Sequence, residues 1–136
     1  MLDEAVRIIN EMHAKGIVWG ELIVKNMIRA TDGKVIICDT ETVYYRGSLV
    51  ERKASDWLDF ICSVCGAIIK LHPEEIDGFI RNVLEGIKDD DTKQCLREKC
   101  GKESTWLHKL LSVCDQVRLD CLRWLYDRIR STISLS

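Results

Sequence analysis

Apolar residues recur at steps of three and four along most of this chain, which is the spacing of one face of an α-helix. The stripe is longest in the last third, from Leu107 to Ile129. With the Gly and Pro positions, the spacing predicts helices at about 3–15, 52–71 and 73–86, a short one within 89–100 and a long one from about 103. The prediction is a mainly α chain of about five helices, forming one domain over residues 1–136.

One segment departs from the helical spacing. Residues 27–30, MIRA, and residues 34–38, KVIIC, have the composition of two short strands. The pair Asp32-Gly33 between them is a strong turn signal. We therefore expect one small antiparallel β-hairpin from about Met27 to Cys38.

Three polar residues surround this hairpin at fixed offsets. Glu21 lies five residues before Asn26, and Asn26 lies thirteen before Asp39. The chain reads GIVWGELIVKN up to Asn26 and VIICDTE around Asp39. This segment resembles the catalytic region of the small atypical protein kinases, the RIO type and the kinase of the KEOPS complex. Their loop has the form G-I-V-H-G-D-L-x-x-x-N and is followed by a D-G hairpin and I-D-F-G.

The resemblance implies a fold and a set of roles. It covers about residues 2–86 and implies a protein kinase-like C-terminal lobe, to which residues 87–136 add a helical extension. In kinases the loop Asp orients the hydroxyl that accepts the phosphate, and the loop Asn and the D-F-G Asp hold Mg²⁺. By this match Glu21 stands at the catalytic base position, and Asn26 and Asp39 stand at the metal positions.

The chain differs from the kinase pattern at three places. Trp19 replaces His, Glu21 replaces Asp, and the triplet DTE, residues 39–41, replaces D-F-G. Glu21 carries its carboxylate one methylene further out, enough to misplace a base that must be held to about 0.5 Å. No G-x-G-x-x-G loop and no V-A-I-K motif occur in the chain, and these are the amino-terminal-lobe parts that hold the ATP phosphates.

These departures favour a kinase-derived, pseudokinase-like binding or regulatory module without catalytic activity. Its partner would be another protein, or a second copy of the chain, covering the face where an amino-terminal lobe is missing. The alternative is a serine/threonine protein kinase-like phosphotransferase that binds ATP and Mg²⁺ only when a partner chain supplies that lobe. Mg²⁺ binding by Asn26 and Asp39 stays open beside a role as loop caps. ATP binding is not expected without an amino-terminal lobe.

A second motif of these kinases places an Asp near the start of the next helix, where it hydrogen-bonds the catalytic-loop backbone from below. The segment ERKASDWL, residues 51–58, matches it with Asp56 as this structural anchor. An irregular loop has backbone N–H groups without ladder partners, and a carboxylate beneath it can accept from two of them, here between Val18 and Leu22. The alternative for Asp56 is a plain helix N-cap.

The composition of the chain limits the classes of partner that it is expected to bind. The formal net charge of −2 gives no basic footprint for nucleic acid, and an RNA-processing accessory role rests on the KEOPS resemblance alone. No apolar run reaches the roughly 18 residues of a membrane span. The amino terminus, MLDEAVRIINEMHAK, is amphipathic where a signal peptide would be apolar. We therefore expect a cytoplasmic protein without a membrane partner.

The chain contains seven cysteines. Three explanations for this number are packing in the core, metal binding or redox chemistry, and a disulfide. The pair Cys62 and Cys65 falls inside an apolar helical run, which favours core packing because a buried thiol behaves as a small hydrophobe. A zinc site would need a second ligand pair, drawn from His72, His108, Cys95 and Cys100. The carboxylates of residues 89–91 likewise favour a helix cap over a metal site.

Overall fold

The computed structural model describes residues 2–38, 47–102, 110 and 119–135. In chain order these residues form α1 (Leu2–Ala14), β1 (Met27–Arg29), β2 (Val35–Ile37), α2 (Leu49–Ile68), α3 (Ile76–Gly86), α4 (Asp90–Gly101) and α5 (Leu119–Ser134). The predicted fold class is confirmed for this part of the chain, since it is mainly α with five helices and one two-stranded antiparallel sheet. None of these helices is long and apolar enough to cross a membrane.

The hairpin pairs Ile28 with Ile36 and closes through a tight turn. The Gly33 N–H donates to the Ala30 carbonyl at 2.9 Å, and Gly33 has a φ of +87°. A left-handed backbone is favourable mainly for glycine, so the Asp32-Gly33 pair locates this turn. The two strands are short and gain their stability by resting on helices.

Helix α2 is the centre of the core. Its residues 54–63 are buried on all sides, as expected for a helix enclosed by its neighbours. Helices α3, α4 and α5 pack on α2, and α1 packs on α3 and β2. Edge-to-face aromatic contacts run from Trp57 through Phe60 to Phe79 of α3, with ring centroids 6.3 Å and 6.2 Å apart.

Helix α2 begins at Leu49, about one turn before the predicted start near Arg52. The cause is a capping box, in which Ser48 Oγ accepts from the Glu51 N–H at 3.2 Å and the Glu51 side chain accepts from the Ser48 N–H at 2.8 Å. Asp56 therefore lies about two turns inside the helix. The alternative of Asp56 as a helix N-cap is wrong.

The carboxy-terminal helices share the core of the preceding part. Leu96 of α4 is fully buried, and so are Leu125, Ile129 and Ile133 of α5. Residues after 125 therefore pack within the domain. The predicted start of the last helix, near residue 103, lies outside the described residues, as do 103–109 and 111–118 altogether.

Three of the six described cysteines lie in the interior, and the other three are partly buried. Cys62, Cys65 and Cys100 are fully buried, and burial raises the pKa of the Cys100 thiol to about 12. For Cys62 and Cys65 this burial agrees with the expected core packing, and Cys100, one of the candidate zinc ligands, is buried as well. Within the described ranges, one group of side chains is close enough to share a metal ion, and it contains no cysteine: the exposed His72, Glu74 and Glu75.

Asp89 is the N-cap of α4. Its Oδ1 accepts from the Asp91 and Thr92 N–H groups at 3.1 Å and 3.3 Å, and its Oδ2 accepts from the Thr92 hydroxyl at 2.8 Å. Lys53 Nζ lies 3.3 Å from the same Oδ2. The Thr92 hydroxyl is the main cause that lowers the pKa of Asp89, and Lys53 adds to it. The acidic run thus begins a helix.

Asp89→Ala is expected to lower the free energy of unfolding by about 1 kcal/mol at neutral pH, because α4 loses its cap. The pKa of Asp89 is lowered from 3.8, so the ionised carboxylate stabilises the fold above that pH. This contribution is lost as the pH falls through the folded-state pKa. Urea unfolding should show a lower free energy of unfolding for Asp89→Ala than for the parent protein at pH 7. This difference should become smaller in acid. The control is Asp90→Ala, at an exposed neighbouring position. If the difference between Asp89→Ala and the parent were the same in acid as at pH 7, the ionised Asp89 carboxylate would not be the cap that stabilises α4.

Candidate functional site

The candidate site is the irregular segment of residues 17–26 that joins α1 to β1, called loop 17–26 below. Apart from the single 3₁₀ turn Val24–Asn26, it has no regular hydrogen bonding of its own. Its backbone N–H groups therefore need partners from other elements. Two side chains of α2, Asp56 and Ser63, accept hydrogen bonds from three of these groups.

Asp56 of α2 holds the first part of the loop. The side chain is fully buried, its Oδ2 accepts from the Trp19 N–H at 2.9 Å, and its Oδ1 accepts from the Gly20 N–H at 3.0 Å. Both donors fall within the stretch from Val18 to Leu22 where such contacts were predicted. Hydrogen bonds to an ionised acceptor are among the stronger ones in proteins. Gly20 has a φ of +95°, a conformation that favours glycine.

His13, near the end of α1, completes this anchor. Its Nε2 lies 3.0 Å from Asp56 Oδ2, and the ring N–H donates because an ionised carboxylate only accepts. The ring is buried and meets Trp57 edge-on, with centroids 5.8 Å apart. One carboxylate thus accepts three hydrogen bonds. It fixes α1, loop 17–26 and α2 relative to one another.

Two anchoring residues, His13 and Ser63, were not predicted from the sequence. Ser63 Oγ accepts from the Val24 N–H at 2.9 Å. Ser63 lies seven residues after Asp56, about two helical turns, and so faces the same loop. His13 lies four residues after Ile9 and shares its buried face of α1. A polar residue on a buried face needs a hydrogen-bond partner, and that was the available signal.

This frame brings Glu21 and Asn26 together. Asn26 is buried, and its Nδ2 donates to the Glu21 carbonyl at 3.2 Å. The Glu21 side chain is exposed and makes no hydrogen bond or ion pair with another described residue. The Cys38 N–H donates to the Asn26 carbonyl at 2.7 Å, which ties the loop to the end of the hairpin.

Asp39, the third residue of the predicted trio, lies outside the described residues, as do Thr40 and Glu41. The structure therefore places Glu21 and Asn26 side by side and says nothing of the third member. Trp19, at the position of the kinase His, is partly buried and packs against the core. Its backbone N–H, rather than its indole, serves the anchor.

Loop 17–26 offers oxygen groups that suit a cation such as Mg²⁺. The Asn26 amide nitrogen is engaged, which leaves its Oδ1 as an acceptor, and Glu21 contributes an exposed carboxylate. Mg²⁺ is commonly held by one or two carboxylates together with phosphate oxygens and water. These donors fit part of such a set, and a substrate phosphate would have to provide more.

The hairpin beside the loop presents an apolar surface. Ile28 and Ile36 are direct cross-strand partners, and they are 54% and 50% exposed. Paired residues of two strands lie on one side of the sheet. We call this pair the hairpin face. The two side chains form a small apolar patch on the surface of the hairpin.

Comparisons of the chain with protein-family models, curated proteins and solved structures found no match. The candidate site therefore rests on its own residues and geometry. The kinase resemblance stays an interpretation of the motif residues.

Proposed function

We propose that this chain is a kinase-derived, pseudokinase-like binding module whose partner is another protein surface. The observation that carries the proposal is the hairpin face, where Ile28 and Ile36 are about half exposed. This face adjoins a loop held by buried hydrogen bonds to Asp56. Apolar side chains on a fixed backbone suit an interface, because they bury surface on binding while little backbone order is lost.

The geometry of Glu21 supports a role without catalysis. Glu21 stands where the kinase resemblance expects the catalytic Asp, on a side chain one methylene longer. No hydrogen bond or ion pair with a described residue orients this exposed carboxylate. Efficient catalytic groups are held to about 0.5 Å by neighbouring side chains. Loop 17–26 thus retains a hydrogen-bonded frame, whereas no hydrogen bond or ion pair with a described residue holds the Glu21 carboxylate.

The partner would cover more than the hairpin face. A stable protein interface buries about 800 Å² on each side. Two half-exposed isoleucines supply only the apolar centre of such a contact. The surrounding polar surface of the hairpin and loop 17–26 would form its rim.

Asn26 supports a second candidate, a serine/threonine protein kinase-like phosphotransferase that binds ATP and Mg²⁺ when a partner supplies the nucleotide-binding lobe. The bond from Asn26 Nδ2 to the Glu21 backbone carbonyl leaves the Asn26 amide oxygen as an acceptor. With Asp39, these residues would make up the trio that orients the acceptor and binds metal in kinases. This candidate requires Glu21 to become ordered by substrate or partner.

Phosphate transfer separates the two candidates. The purified protein is expected to incorporate no radiolabelled phosphate from ATP into generic acceptors above the level of Glu21→Ala and Asp39→Ala. The reason is that phosphoryl transfer depends on positioning and charge stabilisation, and the chain lacks the phosphate-holding motifs. Calorimetry should show that any residual ATP affinity requires Mg²⁺ and falls in Asn26→Ala.

Glu85→Ala, which removes an exposed carboxylate of α3, is the matched control. Robust incorporation that Glu21→Ala and Asp39→Ala both abolish would overturn the binding module in favour of the enzyme. Incorporation that neither change affects would come from a contaminating kinase.

A further inference from the structure

A small apolar cavity lies between α1, the hairpin and α2. Its volume is about 90 Å³, and its lining includes Ala5 of α1, the residues of β1, and Phe60 and Val64 of α2. An apolar cavity of about 150 Å³ holds a benzene molecule. The smaller cavity here suits a single aliphatic side chain. Ile28 and Arg29 are exposed residues of its lining, so it opens to solvent beside β1.

Arg29 gives this opening a positive charge. It is the one charged residue among the described residues that line the cavity. Its guanidinium makes no hydrogen bond or ion pair with another described residue. On the α1 side, the Glu4 carboxylate is already engaged by Arg7 at 2.6 Å and 2.8 Å. Arg29 is thus available to a carboxylate from outside.

Strand β1 also has an open edge. The Cys38 N–H donates to the Asn26 carbonyl, and the Ala30 N–H donates to the Lys34 carbonyl. In an antiparallel pair, every second residue of a strand hydrogen-bonds to the neighbouring strand, and these two bonds show which residues do so here. By that alternation the N–H and C=O of Arg29 point away from β2. These two groups make no hydrogen bond within the part of the chain that the structure describes. Such an edge accepts an extended segment by strand addition.

We infer that the cavity and the β1 edge form a docking site for an extended acidic segment of the partner protein. The segment inserts one aliphatic side chain into the cavity and places a carboxylate on Arg29. An extended chain suits both contacts, because residues two apart point to the same side. This inference rests on the proposed binding function and adds the chemistry of the partner.

The test uses the full chain, labelled with ¹⁵N, and the blocked synthetic peptide Glu-Thr-Leu-Thr-Glu as probe. Titration is expected to give saturable amide shifts in the first turns of α1, in β1 and near Phe60. Replacing the peptide Leu with Ala, or both Glu with Lys, should each weaken binding at least about tenfold. The Leu tests the cavity and the Glu residues test Arg29.

Two protein variants assign the binding to this site. Ala5→Leu fills the cavity and should abolish the shifts, whereas Ala67→Leu, at an exposed position of α2, should not. Arg29→Glu should weaken the acidic peptide about tenfold and allow Lys-Thr-Leu-Thr-Lys to bind in its place. Lys15→Glu, an exposed charge reversal just beyond the far end of α1, is its control. Because Arg29 is exposed, the Arg29→Glu variant should fold. It therefore tests the location of peptide binding even if the Ala5→Leu variant does not fold.

Three results would each overturn the inference. The peptide could fail to bind saturably, the Leu and Ala peptides could bind equally well, or Arg29→Glu could leave the affinity for the acidic peptide unchanged. Uptake of xenon without peptide binding would assign the cavity to small apolar molecules and overturn the inference too. All these failures leave the proposed function in place while phosphate transfer is absent. Robust phosphate transfer would remove the proposed function whatever the peptides do.

Discussion

Replacing Asp56 with alanine is expected to lower the free energy of unfolding by about 3 kcal/mol and the thermal midpoint by about 10 °C. The Asp56 carboxylate is fully buried and accepts from the Trp19 N–H, the Gly20 N–H and His13 Nε2. Alanine would leave three donors without that partner. Each buried unpaired donor costs about 1–3 kcal/mol, less where water can enter.

Thermal and urea unfolding would measure this loss. Asp56→Asn keeps the shape but replaces one acceptor with a donor, so an intermediate effect is expected. Asp127→Ala, an exposed position of α5, is the matched control and should stay close to the parent. A double-mutant cycle with His13→Phe would isolate the coupling between the ring and the carboxylate. A parent-like midpoint for Asp56→Ala would show that this carboxylate does not hold the loop.

Trp57→Ala is expected to lower the free energy of unfolding by about 3–5 kcal/mol, the largest effect expected of one truncation among the described residues. Trp57 is 1% exposed, and its ring meets the rings of His13 and Phe60 at centroid distances of 5.8 Å and 6.3 Å. Truncation would leave a cavity in the middle of the core. It would also remove the packing that holds the His13 ring against Asp56.

Trp57→Phe keeps an aromatic ring and should lose about 1–2 kcal/mol. The matched control is Trp124→Ala, since Trp124 is 42% exposed on α5 and leaves no buried cavity. Near-ultraviolet circular dichroism would follow the loss of fixed aromatic packing alongside urea unfolding. If Trp57→Ala were no more harmful than Trp124→Ala, the core would not be centred on this residue.

Local pattern predicted the elements of this protein well. The helical spacing of apolar residues predicted the mainly α fold, and the Asp32-Gly33 pair located the hairpin turn, where Gly33 has a φ of +87°. The motif around Asp56 pointed to hydrogen bonds with loop backbone, and these are present. Such features depend on residues a few positions apart or on short motifs, which one sequence displays directly.

Local pattern was less reliable at element ends. The start of α2 was placed near Arg52, although the Ser48–Glu51 capping box begins the helix at Leu49. The box is itself a sequence signal, but the long apolar run that follows it dominated the prediction.

Only the tertiary structure decided which distant residues meet. His13 and Asp56 are 43 positions apart, and their contact depends on how α1 crosses α2. The same packing leaves Ile28 and Ile36 exposed, encloses the cavity beside Ala5, and buries Ile133. Periodicity shows that a face is apolar without naming the surface that covers it. That choice follows from the joint packing of all the elements, where many weak contacts act together.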